Sequence, residues 1–335
     1  MKNLKFIFIF LTFVICSASH TLKAEGTIYL YPNEILTQHW AMPTLLNPSK
    51  IGEIDFFRIR GGARLDNIGT HNSPKSFLFT IDSPFKISDN SIGVGIVLER
   101  RSYDLWRNFS IEAQGSYKLK IKASTFSIGV QAGYFHTKHK NIDSQFEPVP
   151  DNSENKDETT VTKKSAEGGT FDIGIGLNYN HPCFHVGVSA LHLTNPTLTL
   201  TKRESGGGGE RFLEGKLPTT LYLDLGGNIH LKNTLFRLQP SVIIGTDFNG
   251  LNAVTELRAT YKEIFTFGLD YRYNRAVGIL TGVKVKNFWV GYSWEYDYSS
   301  SMKGSAGNHE LVLGYQFKLD LGKKKIYTHR SIRFM

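Results

Sequence analysis

The chain has 335 residues, 32 of them glycine, with 13% aromatic and only 40% hydrophobic residues. That balance is too polar for a bundle of membrane-spanning helices, and a length that often splits into two soluble domains can also form one closed sheet that widens with each strand. The formal net charge of +9 is scattered along the chain without a nucleic-acid motif, so neither nucleic acid nor a cofactor is expected as a partner.

Residues 1–24 read as a secretory signal peptide. Lys2 and Lys5 precede an apolar run from Phe6 to Ile15, and small and polar residues lead to Ala24. The run is too short to span a bilayer. Cleavage is expected after Ala24, with Ala18 as a second candidate. Ile15 stands where lipid attachment to Cys16 would want a small residue. The remaining chain then keeps one cysteine, Cys183, and can form no internal disulfide. Residues 25–53 follow as a periplasmic N-terminal segment or plug. Pro43 and Pro48 remove backbone donors, so the segment cannot pair as a regular ladder. It is expected to be irregular and to sit at or inside the periplasmic mouth of whatever follows, anchored by Trp40, Leu45 and Leu46.

From 54 to 319 the pattern is strict alternation, the primary strand signal. Between Phe288 and Tyr298 one face reads Phe288, Val290, Tyr292, Trp294, Tyr296 and Tyr298, and the other Trp289, Gly291, Ser293, Glu295 and Asp297. Segments from Thr170 and from Glu310 repeat this. One face is apolar and aromatic, the other carries small, polar and charged residues, as a wall between lipid and lumen requires. Fourteen such segments are expected, near 54–64, 74–84, 91–100, 108–119, 124–136, 169–180, 183–193, 218–231, 234–246, 252–262, 264–274, 276–286, 288–298 and 308–319. The reading is all-β: a transmembrane antiparallel β-barrel of about 14 strands with short periplasmic turns and long extracellular loops. The gaps agree in parity. Even-numbered gaps are short, whereas 137–168, 194–217 and 299–307 are long.

Parity also turns a set of charges inward: Arg58, Arg60, Arg64, Glu112, Asp172, Asp224, Glu256, Arg258, Asp270, Arg272, Glu295 and Asp297. Both signs are present, which suits a lumen closed by internal ion pairs and water as well as it suits a pore; a packed lumen is the expectation, with a solute path as the alternative. Other constellations carry little chemistry. Gly206 to Gly209 and Gly215-Lys216 lack the spacing and the Ser/Thr of a phosphate loop. His136 and His139 read as exposed loop histidines and not as metal ligands, and the carboxylates from Asp143 to Glu158 show no calcium pattern. His192 is the best outward-facing candidate for a lipid-hydrolysing site, but no serine pairs with it, so no enzyme is expected. Residues 320–335 form a basic periplasmic tail with Lys323, Lys324, Lys325, Arg330 and Arg333, read as a partner-docking element.

The segment Thr37-Gln38-His39-Trp40-Ala41-Met42-Pro43-Thr44-Leu45-Leu46-Asn47-Pro48-Ser49-Lys50-Ile51-Gly52 resembles the N-terminal motif of the PorP/SprF family of Bacteroidota outer-membrane proteins. Gln38, Pro43, Asn47, Pro48 and Gly52 match it position by position, with Trp40 in the aromatic stretch and His39 in place of the usual Tyr. Ser83-Pro84-Phe85 leading to Ile92-Gly93-Val94-Gly95-Ile96, and His309-Glu310-Leu311 with Tyr315-Gln316-Phe317, are similar to the family too. The resemblance implies an outer-membrane component of the type IX secretion system or the gliding machinery, acting as anchor and protein-binding platform. Partners would be the secretion ring, the translocon or a secreted cargo or adhesin, besides outer-membrane lipids and lipopolysaccharide. The competing expectation is a channel or transporter for small or hydrophobic solutes, resembling the fatty-acid transporters. An ordered plug with an apolar cleft would favour transport; a lumen filled by its own charges would favour anchoring.

Overall fold

Strands that alternate apolar and polar residues can bury both faces only if one meets lipid and the other a shared interior, and in hydrocarbon every backbone group must also be paired. The computed structural model, which describes residues 28–29, 35–87, 90–140, 165–202, 211–299 and 304–319, solves both at once. Fourteen antiparallel strands close into a barrel. They are β1 (Phe56–Leu65), β2 (Lys75–Ile87), β3 (Asn90–Tyr103), β4 (Trp106–Ile121), β5 (Ser124–Lys140), β6 (Ser165–His181), β7 (Phe184–Leu191), β8 (Thr220–Gly227), β9 (Phe236–Thr246), β10 (Leu251–Tyr261), β11 (Phe265–Arg272), β12 (Ala276–Val285), β13 (Phe288–Asp297) and β14 (Asn308–Lys318). The last pairs with the first, from Lys318 opposite Phe56 to His309 opposite Leu65, so no wall edge remains.

The facing is unambiguous. Phe171 is 78% and Leu269 62% exposed, values a soluble protein would avoid, while their neighbours Asp172 and Asp270 are buried. On β4, Phe109 and Tyr117 mark the two aromatic girdles. Eight residues span about 27 Å of strand, which a tilt near 40° brings to roughly 21 Å, close to the ≈ 25 Å apolar band of such barrels. One end carries both the start of β1 and the end of β14 with tight turns, where Lys122, Asn233 and Lys286 adopt positive φ. The opposite end carries the long connections. By that asymmetry the first end is periplasmic.

Three expectations need correction. The connection 194–217 is not a plain loop: Thr197–Lys202 and Arg211–Lys216 form an outer hairpin, whose first strand also pairs with the start of β6. Its Thr-Leu alternation is itself a strand signal. Leu198, Leu200 and Leu217 pack on Trp106, Phe135 and Ala166 and cover that side of the lumen's outer end. Strand β5 runs on to Lys140, so His136 and His139 lie on a strand, facing opposite ways, and His139 is buried edge-on to Trp106 at 4.6 Å. The segment expected near 218–231 is interrupted: β8 ends at Gly227, and Ile229–His230 resumes pairing with β9 in the same register, from Gly226–Ser241 to Ile229–Leu238. The break falls opposite Gln239 and Pro240, and Pro240 has no N–H to give. Residues 1–24, expected to be a signal peptide, the carboxylate stretch 143–158, Gly206–Gly209 and the tail 320–335 lie outside the described residues.

Cys183, exposed in the turn between β6 and β7, tests the orientation directly. An impermeant maleimide added to intact cells is expected to spare Cys183 and to label it after the outer membrane is permeabilised. Asn195→Cys, at the other end, should label on intact cells; the reverse pattern would invert the barrel. Ile175, midway between Phe171 and Tyr179 on the outer face, should not tolerate charge. Ile175→Arg is expected to cost about 2–4 kcal/mol in a urea refolding titration, and Val285→Arg at the periplasmic rim about 0–1.

Candidate functional site: the plugged lumen

Residues Ile35 to Glu53 occupy the lumen, and their sequence explains their shape. Proline opens each of two single-turn 3₁₀ helices, Pro43–Leu45 and Pro48–Lys50. Asn47 caps the second: its Oδ1 accepts from the Ser49 amide at 3.0 Å and the Ser49 hydroxyl at 2.6 Å. Its amide nitrogen donates outward to the wall, to the carbonyls of Leu177 at 3.1 Å and Val188 at 3.5 Å. Gly52 follows with φ +58, a left-handed conformation that glycine takes without strain.

The wall receives this segment on a shelf of small residues. Ladder pairing sets Gly93, Ser116, Gly129, Gly176 and Ser189 in one row across β3 to β7. A Cβ on Gly93 would collide with the Ile51 carbonyl, on Gly129 with the Pro48–Ser49 peptide, and on Gly176 with Asn47 Oδ1. The two serines donate to plug carbonyls, Ser116 to Ile51 at 2.9 Å and Ser189 to Leu46 at 2.5 Å. Gln114 reaches the Thr44 carbonyl at 2.8 Å and Lys118 the Ile51 carbonyl at 2.5 Å.

The inward charges bind the plug and one another. Glu310 accepts the amides of Thr37 and Gln38 at 3.0 and 2.8 Å. Arg64 contacts Asp66 at 2.8 Å, Glu295 at 2.6 Å and Glu310 at 3.1 Å, and donates to the Thr37 hydroxyl at 2.9 Å. Arg272 bridges Glu295 at 3.0 Å and the Ile35 carbonyl at 2.9 Å. Nearer the periplasm, Arg58 pairs with Asp82, whose Oδ2 also takes the Gly52 amide at 2.8 Å. Lys50 is ion-paired with Asp224, which His185 also contacts at 3.2 Å.

Apolar contacts complete the seal. Ile35, Leu36, Ala41, Met42, Leu45 and Leu46 pack on inward Leu78, Val97, Leu191, Tyr222, Ile243, Val254 and Val312. Trp40 stands edge-on to Trp289 at 4.9 Å and lies under the Arg258 guanidinium at 4.0 Å. The remaining predicted charges also face inward. Arg258 meets Glu256 at 2.8 Å, Arg275 meets Asp297 at 3.3 Å, and Glu112, Asp172 and Asp270 are buried, while one Arg60 nitrogen is buried.

The N-terminal segment is not confined to the periplasmic mouth. Ile28 and Tyr29 pair with Gly215 and Lys216 of the outer hairpin, Thr37 lies beside the outer ends of β1 and β14, and only Lys50 to Asp55 approach the periplasmic turns. The segment therefore descends through the lumen. His192 is not outward-facing: positive φ after the end of β7 turns it inward, where Nδ1 contacts Asp172 at 2.7 Å. Sequence reasoning left out Asp82, Gln114, Lys118 and Glu310, although alternation points all four inward. A cavity of ≈ 200 Å³ remains between plug and wall, lined by Trp40, Lys50, Glu53, Tyr222, Asp224 and others. It shares Asn180, His185, Ser241 and Arg258 with a periplasmic recess of ≈ 400 Å³.

The profile of the family described as type IX secretion system membrane protein PorP/SprF matches residues 33–315. No curated protein matches the chain. Among solved structures, the toluene transporter TbuX of Ralstonia pickettii is 13% identical with a TM-score of 0.49, over 88% of this chain and 96% of that one. The toluene transporter TodX of P. putida is 12% identical, TM-score 0.48, over 89% and 99%. Outer membrane protein Omp33 of Acinetobacter baumannii is 9% identical, TM-score 0.42, over 78% and 97%.

The shelf makes a sharp prediction. Lys50, 6% exposed, should resist trypsin in the folded protein. Gly129→Val is expected to expel the Pro48–Lys50 turn and open Lys50 to cleavage, read by mass spectrometry, while heat-modifiable gel mobility reports an intact barrel. Continued protection of Lys50 would mean that the shelf does not hold the plug. Arg64→Ala removes the cation shared by Asp66, Glu295 and Glu310 and should cost about 3–5 kcal/mol.

Proposed function

The chain belongs to the PorP/SprF family of type IX secretion system membrane proteins, and we propose that its barrel serves that system as an outer-membrane anchor and protein-binding platform with no catalytic step of its own. One observation carries this reading: the lumen is filled by the chain's own N-terminal segment, fixed by buried ion pairs and backbone hydrogen bonds from the wall. The cavity left over, ≈ 200 Å³, is smaller than the roughly 300–1,000 Å³ of ordinary small-molecule pockets. A polypeptide cargo has no path through such an interior, so the surfaces available to it are the two ends.

The periplasmic end is the better platform. Its recess is polar, with Asn180, His181, His185, Asn228, Gln239 and Arg258 among its walls. β14 ends on this side at Lys318, and Lys323, Lys324, Lys325, Arg330 and Arg333 follow it in sequence. Partners of this surface would be the secretion ring, the translocon or a secreted cargo or adhesin, including those of the gliding machinery. A second reading, a channel for small or hydrophobic solutes, draws on the four lining residues that cavity and recess share. The charged lining, with Lys50, Asp224 and Arg258, supports it less well than an apolar cleft would.

Removing residues 323–335 is expected to leave a heat-modifiable, membrane-inserted barrel while abolishing cargo release into the medium. A photo-crosslinking residue at Lys232 should capture a secretion component in cells, and one at Asn195 should not. Normal cargo release by the truncated chain would remove the tail from the platform. Steady conductance of the full chain in planar bilayers, with no adduct at Lys232, would favour the channel instead.

A further inference from the structure

The lipid-facing surface of β2 to β5 carries a cationic cluster that the plugged lumen does not use. Ladder pairing sets Lys75 opposite Ser102, Ser102 opposite Arg107, and Arg107 opposite Lys138. The same strands pair Phe77 with Arg100, Arg100 with Phe109, and Phe109 with His136. The alternate residues Ser76, Arg101, Asn108 and Thr137 are buried, so the cations point outward, and Lys75, Arg100 and Arg107 are exposed. Among the described residues these three meet no carboxylate; Lys138 lies 3.4 Å from Glu167. At about 4.8 Å per strand the patch is roughly 15 Å wide. It sits beside and just above the girdle residues Phe77 and Phe109, at headgroup height on the extracellular side.

Directly below, the same wall has a furrow. Ala113, Gly115 and Ala132 interrupt a lipid face that is otherwise bulky, and with Val130, Ile173 and Ile175 they line an apolar groove of ≈ 450 Å³. Arg107 and Ala113 are six residues apart on β4, about 20 Å of strand, the reach of an acyl chain from headgroup toward midplane. The geometry points to a specific site for a phosphorylated glycolipid of the outer leaflet, its phosphates on Lys75, Arg100 and Arg107 with Lys138 at the edge, and one acyl chain in the furrow. Arginine suits the role because its planar fork binds phosphate through two parallel hydrogen bonds. The occupant is a lipid and not a soluble anion because the cations stand above an apolar groove in the plane of the membrane. This inference is independent of the anchor reading.

The test uses the full chain in nanodiscs doped with purified lipopolysaccharide, with retained glycolipid read by native mass spectrometry after detergent washing. The triple variant Lys75→Gln, Arg100→Gln, Arg107→Gln should retain at least about tenfold less, since each cation near a charged headgroup contributes about 1 kcal/mol. Lys122→Gln, Lys262→Gln, Lys286→Gln removes equal charge from the periplasmic turns and should change nothing. Ala132→Phe, which fills the furrow, should lower retention with every cation in place. Heat-modifiable mobility checks folding; if the triple variant fails to fold, Arg107→Gln alone should show about a fivefold loss. Equal retention by both triple variants, equal retention of dephosphorylated glycolipid, or displacement by inorganic phosphate alone would each overturn the site.

Discussion

The seam between β14 and β1 is the constraint on which the rest depends. Hydrocarbon offers no partner for a backbone amide, so the sheet must close. Closing it with fourteen strands creates a second problem. Eight strands make a ring whose own side chains can fill it, whereas a wider ring leaves space. Water could occupy that space, as in a porin. Here the chain fills it with its own residues, and this choice sets the chemistry of every inward position. A strand-like filler would need ladder partners that the wall, already fully paired, cannot give. A proline-bearing segment of short turns needs fewer.

The plug still brings backbone donors and acceptors into a low-dielectric interior, where an unpaired one costs heavily. The wall answers with charge of matching sense. Carboxylates take exposed amides: Glu310 those of Thr37 and Gln38, Asp82 that of Gly52. Cations take exposed carbonyls: Arg272 that of Ile35, Arg58 that of Lys50, Lys118 that of Ile51. Glu310, Asp82, Arg272 and Arg58 are each held by an opposite charge as well as by the plug. Buried ion pairs add little net stability against an apolar alternative. Their worth here is in placement, because shifting the plug by one residue would break several of these contacts together.

The barrel was legible because its signal is periodic and redundant. Each strand repeats the alternation several times, and gap parity checks the count, so errors at the ends of β5 and β8 did not propagate. The inward charges followed from the same parity. His192 escaped it because a residue at positive φ just past a strand no longer obeys the alternation. The depth of the plug was not legible, since no local pattern states how far an irregular segment reaches. Its trace was nonetheless present. Gly93, Gly129 and Gly176 fall on inward positions of separate strands, and strand pairing aligns them into one row. An inward glycine alone is ambiguous; a row of them beside serines marks the approach of another backbone. Recognising the row requires the register, which the sequence supplies only after the strands are paired.

The register also makes the barrel lopsided, and that asymmetry orders its surfaces. Strands β2 to β6 run 13 to 17 residues, while β7, β8 and β11 have 8. The tall side carries the plug shelf within and the cationic patch with its furrow outside. On the short side, near β7 to β9, pairing of β8 with β9 lapses at Gly227 and Asn228 before it resumes at Ile229, and the periplasmic recess opens there. The proposed lipid site lies on the tall wall and the polar recess on the short one. The two thus differ in height and in the side of the membrane they face, and both differences follow from where the sequence places its long strands and the break in β8 opposite Pro240.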